Sequence, residues 1–473
     1  MPAANTDAGP APDTPDGLPT PRRYWSVATI WLAMAMSVLD GSISNVALPT
    51  IAHELNASAA SSIWIVNAYQ LAITVTLLPL AALGDRIGYR RVYMAGLVVF
   101  TLGSLGCALS HTLAELTTAR VFQGLGAGGI MSINSALVRF TYPKALLGRG
   151  IGLNAVVISI SAAVGPTVAA AILGVASWEW LFAVNVPIGL VAIAIAARAL
   201  PRTVGSGRRF DIWAAVLNAL TFGFLITGAE SLVRDGLASG AWKLAVGVIA
   251  GVLLVRREVV RPTPLVPFDL LRIPIFGLSI ATSVVSFAAQ MLAYVALPFY
   301  FQGAMGRSAV ETGLLMTPWP LAVGVAAPIA GRLSDRYAAG ALGGIGLGLF
   351  AAGLAALAFV HPGTSNLDIA WRMALCGLGF GCFQAPNNRA MVSSAPMHRS
   401  GAAGGALATA RLLGQTAGAV TTGMFFHLAG IHATTLALAT ASGVAMLAAL
   451  VSLSRLKLAP PPAPDRPVED VDG

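Results

Sequence analysis

The chain has 473 residues, of which 56% are hydrophobic and only 10% charged, where a soluble domain carries about 25% charged side chains. No water-soluble core of this length hides so much apolar surface, so composition excludes a soluble globular protein. The formal charge of +9 would raise nucleic acid in a soluble chain, but such a footprint gathers its cations on one face with aromatics between them; here they are spread over loops, and no nucleic-acid partner is expected.

A helix needs about 20 apolar residues to cross roughly 30 Å of hydrocarbon. Residues 1–21, rich in Pro, Ala and Asp with no basic n-region, read as a disordered tail. Fourteen stretches of spanning length follow, near 25–47, 62–83, 92–110, 114–139, 149–175, 180–200, 211–231, 240–256, 274–302, 312–331, 341–360, 368–395, 401–426 and 434–454. The eighth is the shortest and opens on Trp242 and Lys243, a pair suited to a membrane interface. The Pro-rich segment 457–473 reads as a second tail. Cys107, Cys376 and Cys382 fall inside spans, an odd number without metal-ligand spacing, and read as packing residues. No metal or cofactor is expected.

The cations fall on alternate loops: Arg22 and Arg23, then Arg86, Arg90 and Arg91, then Arg139, Lys144 and Arg149, then Arg198, Arg202, Arg208 and Arg209. The intervening loops hold little basic charge and much of the histidine, such as His53, His111 and His361. The positive-inside rule makes the arginine side cytoplasmic and puts both termini there, as expected of a multi-pass protein of the cell inner (plasma) membrane.

An internal repeat organises the spans. Pro79–Arg91 reads PLAALGDRIGYRR and Pro328–Gly340 reads PIAGRLSDRYAAG, each after the second span of its half. The expected fold is all-α and polytopic: a six-helix bundle over 22–204, two inserted peripheral helices over 205–262 and a second six-helix bundle over 263–456. Parallel halves of this kind hold the substrate near the bilayer midplane between them.

Five motifs in order then carry a resemblance. Leu39-Asp40 precedes Asn45-Val46-Ala47-Leu48-Pro49; Leu83-Gly84-Asp85-Arg86-Ile87-Gly88-Tyr89-Arg90-Arg91 follows the second span; Arg120-Val121-Phe122-Gln123-Gly124 lies in the fourth; Gly165-Pro166 lies in the fifth; and Trp178, Trp180, Phe182, Asn185, Pro187 and Gly189 lead into the sixth. Over about residues 22–456 the chain resembles a major facilitator superfamily transporter of the fourteen-helix drug:proton antiporter branch. Ala81, Tyr89, Ala169-Ala170 and Glu179 depart from the usual residues of these motifs. The resemblance implies two six-helix bundles plus two inserted helices, and proton-coupled export of amphipathic small molecules by alternating access. A dedicated metabolite exporter of the same fold is the alternative, and a non-transporting membrane sensor is a further one. There is no HExxH, no P-loop and no Ser/His/Asp set in the spans, so no enzyme is expected.

Each motif also has a physical reading. Asp85, Arg86, Gly88, Arg90 and Arg91, with Asp335 and Arg336 of the repeat, form a cytoplasmic latch, a carboxylate held by a helix N-terminus and basic partners; alternatively the loop only anchors topology. Gly165 and Pro166 permit a bend and close helix approach. Asp40, Arg120 and Arg411 are the ionisable groups at mid-span, where charge is costly and lines a cavity or proton path. Asp40 either binds the coupling proton, with Arg120 and Arg411 as its basic partners, or belongs to a fixed ion pair that locks helices together. Asn45, Asn67, Tyr69, Gln70, Gln290, Tyr294, Gln384, Asn387 and Asn388 are the candidate cavity residues; buried amides also glue helices together. With one mid-membrane carboxylate, neutral, monocationic or weakly anionic substrates are expected over dications. The expected partners are a small-molecule substrate, protons and the lipid bilayer, with the chain a monomer.

Overall fold

A backbone N–H or C=O left bare in hydrocarbon costs several kcal/mol, and a helix satisfies nearly all of its own. The computed structural model accordingly is all-helical between its loops over the residues it describes, 16–143, 146–203, 205, 210–259, 268–334, 336–395 and 400–457. Its long helices are α1 Arg22–Glu54, α2 Ala59–Ile87, α3 Tyr89–Ala108, α4 Leu113–Thr141, α5 Leu147–Leu173, α6 Trp180–Ala199, α7 Ile212–Arg234, α8 Leu237–Val259, α9 Pro274–Ala304, α10 Ala309–Leu333, α11 Ala339–Ala358, α12 Asn366–Ser394, α13 Ser400–Ala429 and α14 Ala433–Ser454. Eleven are long and apolar enough to cross a membrane, and the bent α5 makes a twelfth when counted as one span. The more polar α12 and α13 have 29 and 30 residues, a set consistent with the fourteen spans expected. Residues 16–21 run along the end of α4, where the Leu18 N–H satisfies the Thr141 carbonyl at 3.1 Å, one of the carbonyls a helix end leaves free. Residues 1–15 and 458–473, most of the two expected tails, lie outside the described residues.

The repeat seen in sequence is a repeat of packing. In the first half α4 lies against α2 and α3, α1 against α5 and α6, and α3 against α6; in the second half α12 lies against α10 and α11, α9 against α13 and α14, and α11 against α14. Small residues set the same seam twice. A Cβ on Gly126 of α4 would meet the Phe100 nitrogen at 2.2 Å, and one on Gly379 of α12 would meet the Phe350 nitrogen at 2.3 Å, so only glycine lets either helix pair close to this distance. The halves meet as α1 with α9, α5 with α10 and α2 with α13, while α7 pairs with α8 and lies over the α2–α13 seam.

Proline bends the helices that line the interface, and neighbouring side chains repair the result. Each prolyl ring removes a donor and frees the carbonyl four residues earlier. Pro79 frees that of Val75, which accepts from Asn218 Nδ2 of α7 at 2.8 Å; Pro166 frees that of Ala162, which accepts from Ser42 Oγ of α1 at 3.2 Å. α5 bends by 41° in this region. Trp64 of α2 also donates its indole N–H to Glu230 of α7, so the outlying pair is tied to the bundle at two depths.

Among the described residues, the hydrogen bonds joining the halves lie toward the face away from the chain termini or at mid-depth. Thr50 donates to Gln302 at 3.1 Å, Gln302 donates to the Val46 carbonyl at 3.1 Å, the Thr167 and Thr317 hydroxyls share a bond of 2.9 Å, and those of Thr74 and Thr416 share one of 3.5 Å. A Cβ on Gly313 would meet the Pro166 carbonyl at 2.5 Å, so α5 and α10 approach backbone to backbone. This geometry is a closed opposite face. Cysteines at Thr167 and Thr317, in a Cys382→Ser background, are expected to cross-link readily and to hold the space between the halves inaccessible from that face until reduced. Accessibility that persists after complete cross-linking would show that this seam is not the barrier.

Candidate functional site

Between the halves lies a cavity of about 180 Å³, lined from α1, α2, α4, α5, α9, α10, α12 and α13. Those eight helices are four pairs related by the repeat, and no residue of α7 or α8 reaches the lining. Of the nine candidates from sequence, Asn45, Tyr69, Gln70, Gln290, Tyr294 and Gln384 line it. Asn67, Asn387 and Asn388 do not. Asn67 is buried one turn nearer the closed face than Gln70. Asn387 lies one turn past Gln384 toward the termini, where its amide donates to the Ser279 carbonyl at 3.2 Å and Ser283 Oγ at 2.8 Å while its oxygen accepts from Arg455 at 2.7 Å. It holds helices together, and its neighbour Asn388 is half-buried off the lining. Ser37, Ser42, Gln415 and Arg411 add further polar groups, and the rest of the wall is apolar and aromatic, with Phe287 and Phe380 in edge contact at 5.2 Å.

Beside the cavity sits a sealed polar cluster. Asp40 and Arg120 form an ion pair whose side chains are 1% and 0% exposed. The other Asp40 oxygen accepts from Gln123 Nε2 at 2.7 Å and Asn185 Nδ2 at 3.0 Å. Arg120 also donates to Gln123 Oε1 at 2.7 Å and to the Ile65 carbonyl at 3.0 Å, while its Nη2 is buried without a partner. Its guanidinium stacks 4.1 Å above the Tyr69 ring and 5.5 Å from that of Phe182. Tyr69, whose hydroxyl donates to the Ser37 carbonyl at 2.8 Å, is therefore both cavity wall and floor of the ion pair. Sequence reasoning placed Arg411 with this pair, and the fold does not. Arg411 enters the cavity from α13, makes no hydrogen bond or ion pair among the described residues, and has a buried, unpartnered Nε.

The α2–α3 loop differs from the latch expected of it. Asp85 is exposed and accepts from the Tyr89 hydroxyl, not from an arginine. Arg90 donates to the Ala197 carbonyl at the end of α6, and Arg91 to that of Ile87 at 3.4 Å; Arg86 and Arg336 are exposed. Tyr89 occupies a place where a basic residue was expected, so the carboxylate finds a phenol four residues on. The Arg90 N–H meets Thr203 Oγ1 at 3.3 Å, and Gly88 turns the chain with φ 99°, a region open mainly to glycine. Arg90 thus clamps the loop to the end of α6. Asp335 lies outside the described residues. Gly165 and Pro166 pack as expected of a bend, a Cβ on Gly165 meeting Ser42 Oγ at 2.3 Å.

The sequence profile of the Major Facilitator Superfamily matches residues 30–419. The chain belongs to this superfamily. The uncharacterized transporter YebQ of Escherichia coli (strain K12) is 53% identical over 93% of this chain and 97% of its own length. The riboflavin transporter RibZ of Clostridioides difficile (strain 630) is 31% identical over 86% of this chain and 89% of its own length. The multidrug resistance protein Stp of Mycobacterium tuberculosis (strain CDC 1551 / Oshkosh) is 31% identical over 82% and 73% respectively. A crystal structure of a POT family transporter in complex with a thioalcohol-conjugated peptide superposes with a TM-score of 0.70 over 91% of this chain and 96% of that one, at 16% identity, a likeness of fold. The chain is a multi-span membrane transporter with the major facilitator fold.

Superfamily motifs pointed to Asp40 and Arg120 but not to the amides that complete their shell. Gln123 lies one helical turn after Arg120, and Asn185 stands within the motif leading into α6; their presence in those motifs was the available signal. Removing one partner of a buried pair leaves an uncompensated charge, a cost of about 3–5 kcal/mol. Arg120→Leu is therefore expected to destabilise by that order, and the double variant with Asp40→Asn by less, as read from unfolding of the purified proteins. Equal losses in single and double variants would mean that no uncompensated charge is left at Asp40 once Arg120 is removed.

Proposed function

We propose that this transporter is a proton-coupled antiporter exporting amphipathic small molecules by alternating access, from a plasma membrane in which both termini are cytoplasmic. It acts as a monomer, with 22–204 and 263–456 as the moving bundles and 205–262 as a peripheral pair. The observation that carries the reading is Asp40, buried against Arg120, whose guanidinium stacks on the Tyr69 ring that lines the central cavity. Among the described residues Asp40 is the carboxylate buried between helices of the first bundle, and in this reading it carries the coupling proton, whose arrival removes the charge that holds Arg120, Gln123 and Asn185. Ser42, two residues along α1, carries the Ala162 carbonyl of the bent α5, and α5 forms one of the seams that close the opposite face. Proton binding and seam opening thereby act on one helix pair. Similarity to Stp, a multidrug resistance protein, supports drugs as substrates; similarity to RibZ, a riboflavin transporter, supports a dedicated metabolite as substrate, the second reading, which a narrow substrate range would favour.

In proteoliposomes with an imposed pH gradient, Asp40→Asn is expected to abolish gradient-driven export while keeping substrate binding and downhill exchange, since the amide preserves shape but exchanges no proton. Undiminished pH-driven export by this variant would overturn the coupling role of Asp40. The α2–α3 loop, unlatched while the opposite face is closed, latches the cytoplasmic face in the other state. Asp85→Asn removes one charge-assisted contact worth roughly 1.5–3 kcal/mol, so it is expected to shift the population more than about tenfold toward the cytoplasm-open state, read by labelling of cavity cysteines from each side. Unchanged accessibility on both faces would leave Asp85 as a topology signal only.

A further inference from the structure

We infer that the central cavity selects organic anions on an aromatic frame and that Arg411 is the residue that receives their charge. The inference deepens the proposed export function and rests on the reading of the cavity as the substrate site. Arg411 is the charged side chain in the lining, and no Asp or Glu stands with it. Asp40 does not compensate it: one carboxylate oxygen is taken by Arg120 and the other by Gln123 and Asn185. With no hydrogen bond or ion pair of its own among the described residues and with Nε buried without a partner, Arg411 gives the cavity a net positive charge in a region of low dielectric. Such a charge is costly in a membrane and is retained where it binds something. A carboxylate or delocalised anion would satisfy it, and a guanidinium presents the planar donor fork that suits one. Gln415, one turn along α13, adds an amide to the lining, and Tyr294 and Phe380 add aromatic rings to it. Of the neutral, monocationic and weakly anionic substrates that the sequence left open, the structure thus singles out the anions.

The test is equilibrium binding to the purified full-length protein, using fluorescein as the anion and rhodamine 123 as a cation of the same xanthene frame, read by fluorescence anisotropy. Wild type is expected to bind fluorescein at least about tenfold tighter than rhodamine 123. Arg411→Gln should weaken fluorescein roughly tenfold to a hundredfold, the range of one charge-assisted hydrogen bond, without weakening rhodamine 123, and Arg411→Lys should recover part of the loss. Parallel thermal unfolding of each variant separates lost recognition from lost fold, and the wild-type preference needs no variant at all. Equal or cation-preferring binding by wild type, or unchanged fluorescein affinity in a folded Arg411→Gln protein, overturns the inference. Anion-selective binding without pH-driven transport would refute coupled export and uphold the anion site; pH-driven transport of rhodamine 123 in preference to fluorescein would do the reverse.

Discussion

Inside hydrocarbon a charge or a bare peptide group has to find its partner within the protein, and this constraint organises the transporter around one carboxylate. Asp40 of α1 draws Arg120 and Gln123 from α4 and Asn185 from α6, so three helices are fixed by a single side chain. The same rule reaches α5: the carbonyl that Pro166 frees at Ala162 is answered by Ser42, again on α1. Helix α1 therefore holds the acid on one side and the bent helix on the other. From α5 the contacts continue to α10 through Thr167, Thr317 and the close approach of Gly313. Each link is a direct contact, so the acid on α1 and the seam between α5 and α10 are joined by one continuous chain of packed groups.

The two halves share a backbone plan and divide the chemistry. Asn45-Val46-Ala47-Leu48-Pro49 of α1 corresponds to Tyr294-Val295-Ala296-Leu297-Pro298 of α9, which puts Ala289 where the first half has Asp40. A Cβ on Gly124 would meet the Tyr69 carbonyl at 2.6 Å and one on Gly377 that of Trp319 at 2.1 Å; Gly103 lies against Gln123 as Gly353 lies against Cys376. By these matched contacts Trp319 stands for Tyr69, Cys376 for Gln123 and, one turn earlier on the same helix, Met373 for Arg120. The polar cluster of the first half is an apolar one in the second, with Trp319 packed on Tyr294 at 4.9 Å and Phe350 at 5.5 Å. One half holds a charged cluster where the other is packed with apolar side chains, while glycine keeps the helix seams common to both.

Much of this was legible in the sequence because a membrane makes composition and position nearly the same thing. Apolar runs set the helices, the Pro79 and Pro328 segments revealed the repeat, and the rarity of charge picked out Asp40, Arg120 and Arg411. What stayed hidden depends on azimuth and depth. Asn67 and Gln70 share a helix face, yet only Gln70 reaches the cavity; Gln384 and Asn387 differ in the same way. A proline announces a free carbonyl four residues earlier, but nothing in the chain says that Asn218 of an inserted helix supplies the donor for Val75. The assignment of Arg411 to the proton cluster failed for the same reason: depth along α13 was readable, and the wall it faces was not.

Two arginines of the second half show how the same constraint separates structure from function. Arg455, just past α14, is buried with no carboxylate beside it among the described residues, and burial pushes its guanidinium down to about 10, so it remains protonated at neutral pH. Its donors are nevertheless spoken for: Ser279 Oγ and Asn387 Oδ1 at 2.7 Å, Ser452 Oγ at 2.5 Å and the Ser452 carbonyl at 3.4 Å. Neutral acceptors that surround a cation make a closed unit, and it ties α9, α12 and α14 together at the termini side. Arg411 has the same charge and a comparable lack of carboxylates but no such shell. A cation whose acceptors are supplied by the protein is a fastener; one that lacks them among the described residues, and which opens on a cavity shared by both halves, is left open to a partner from outside the chain.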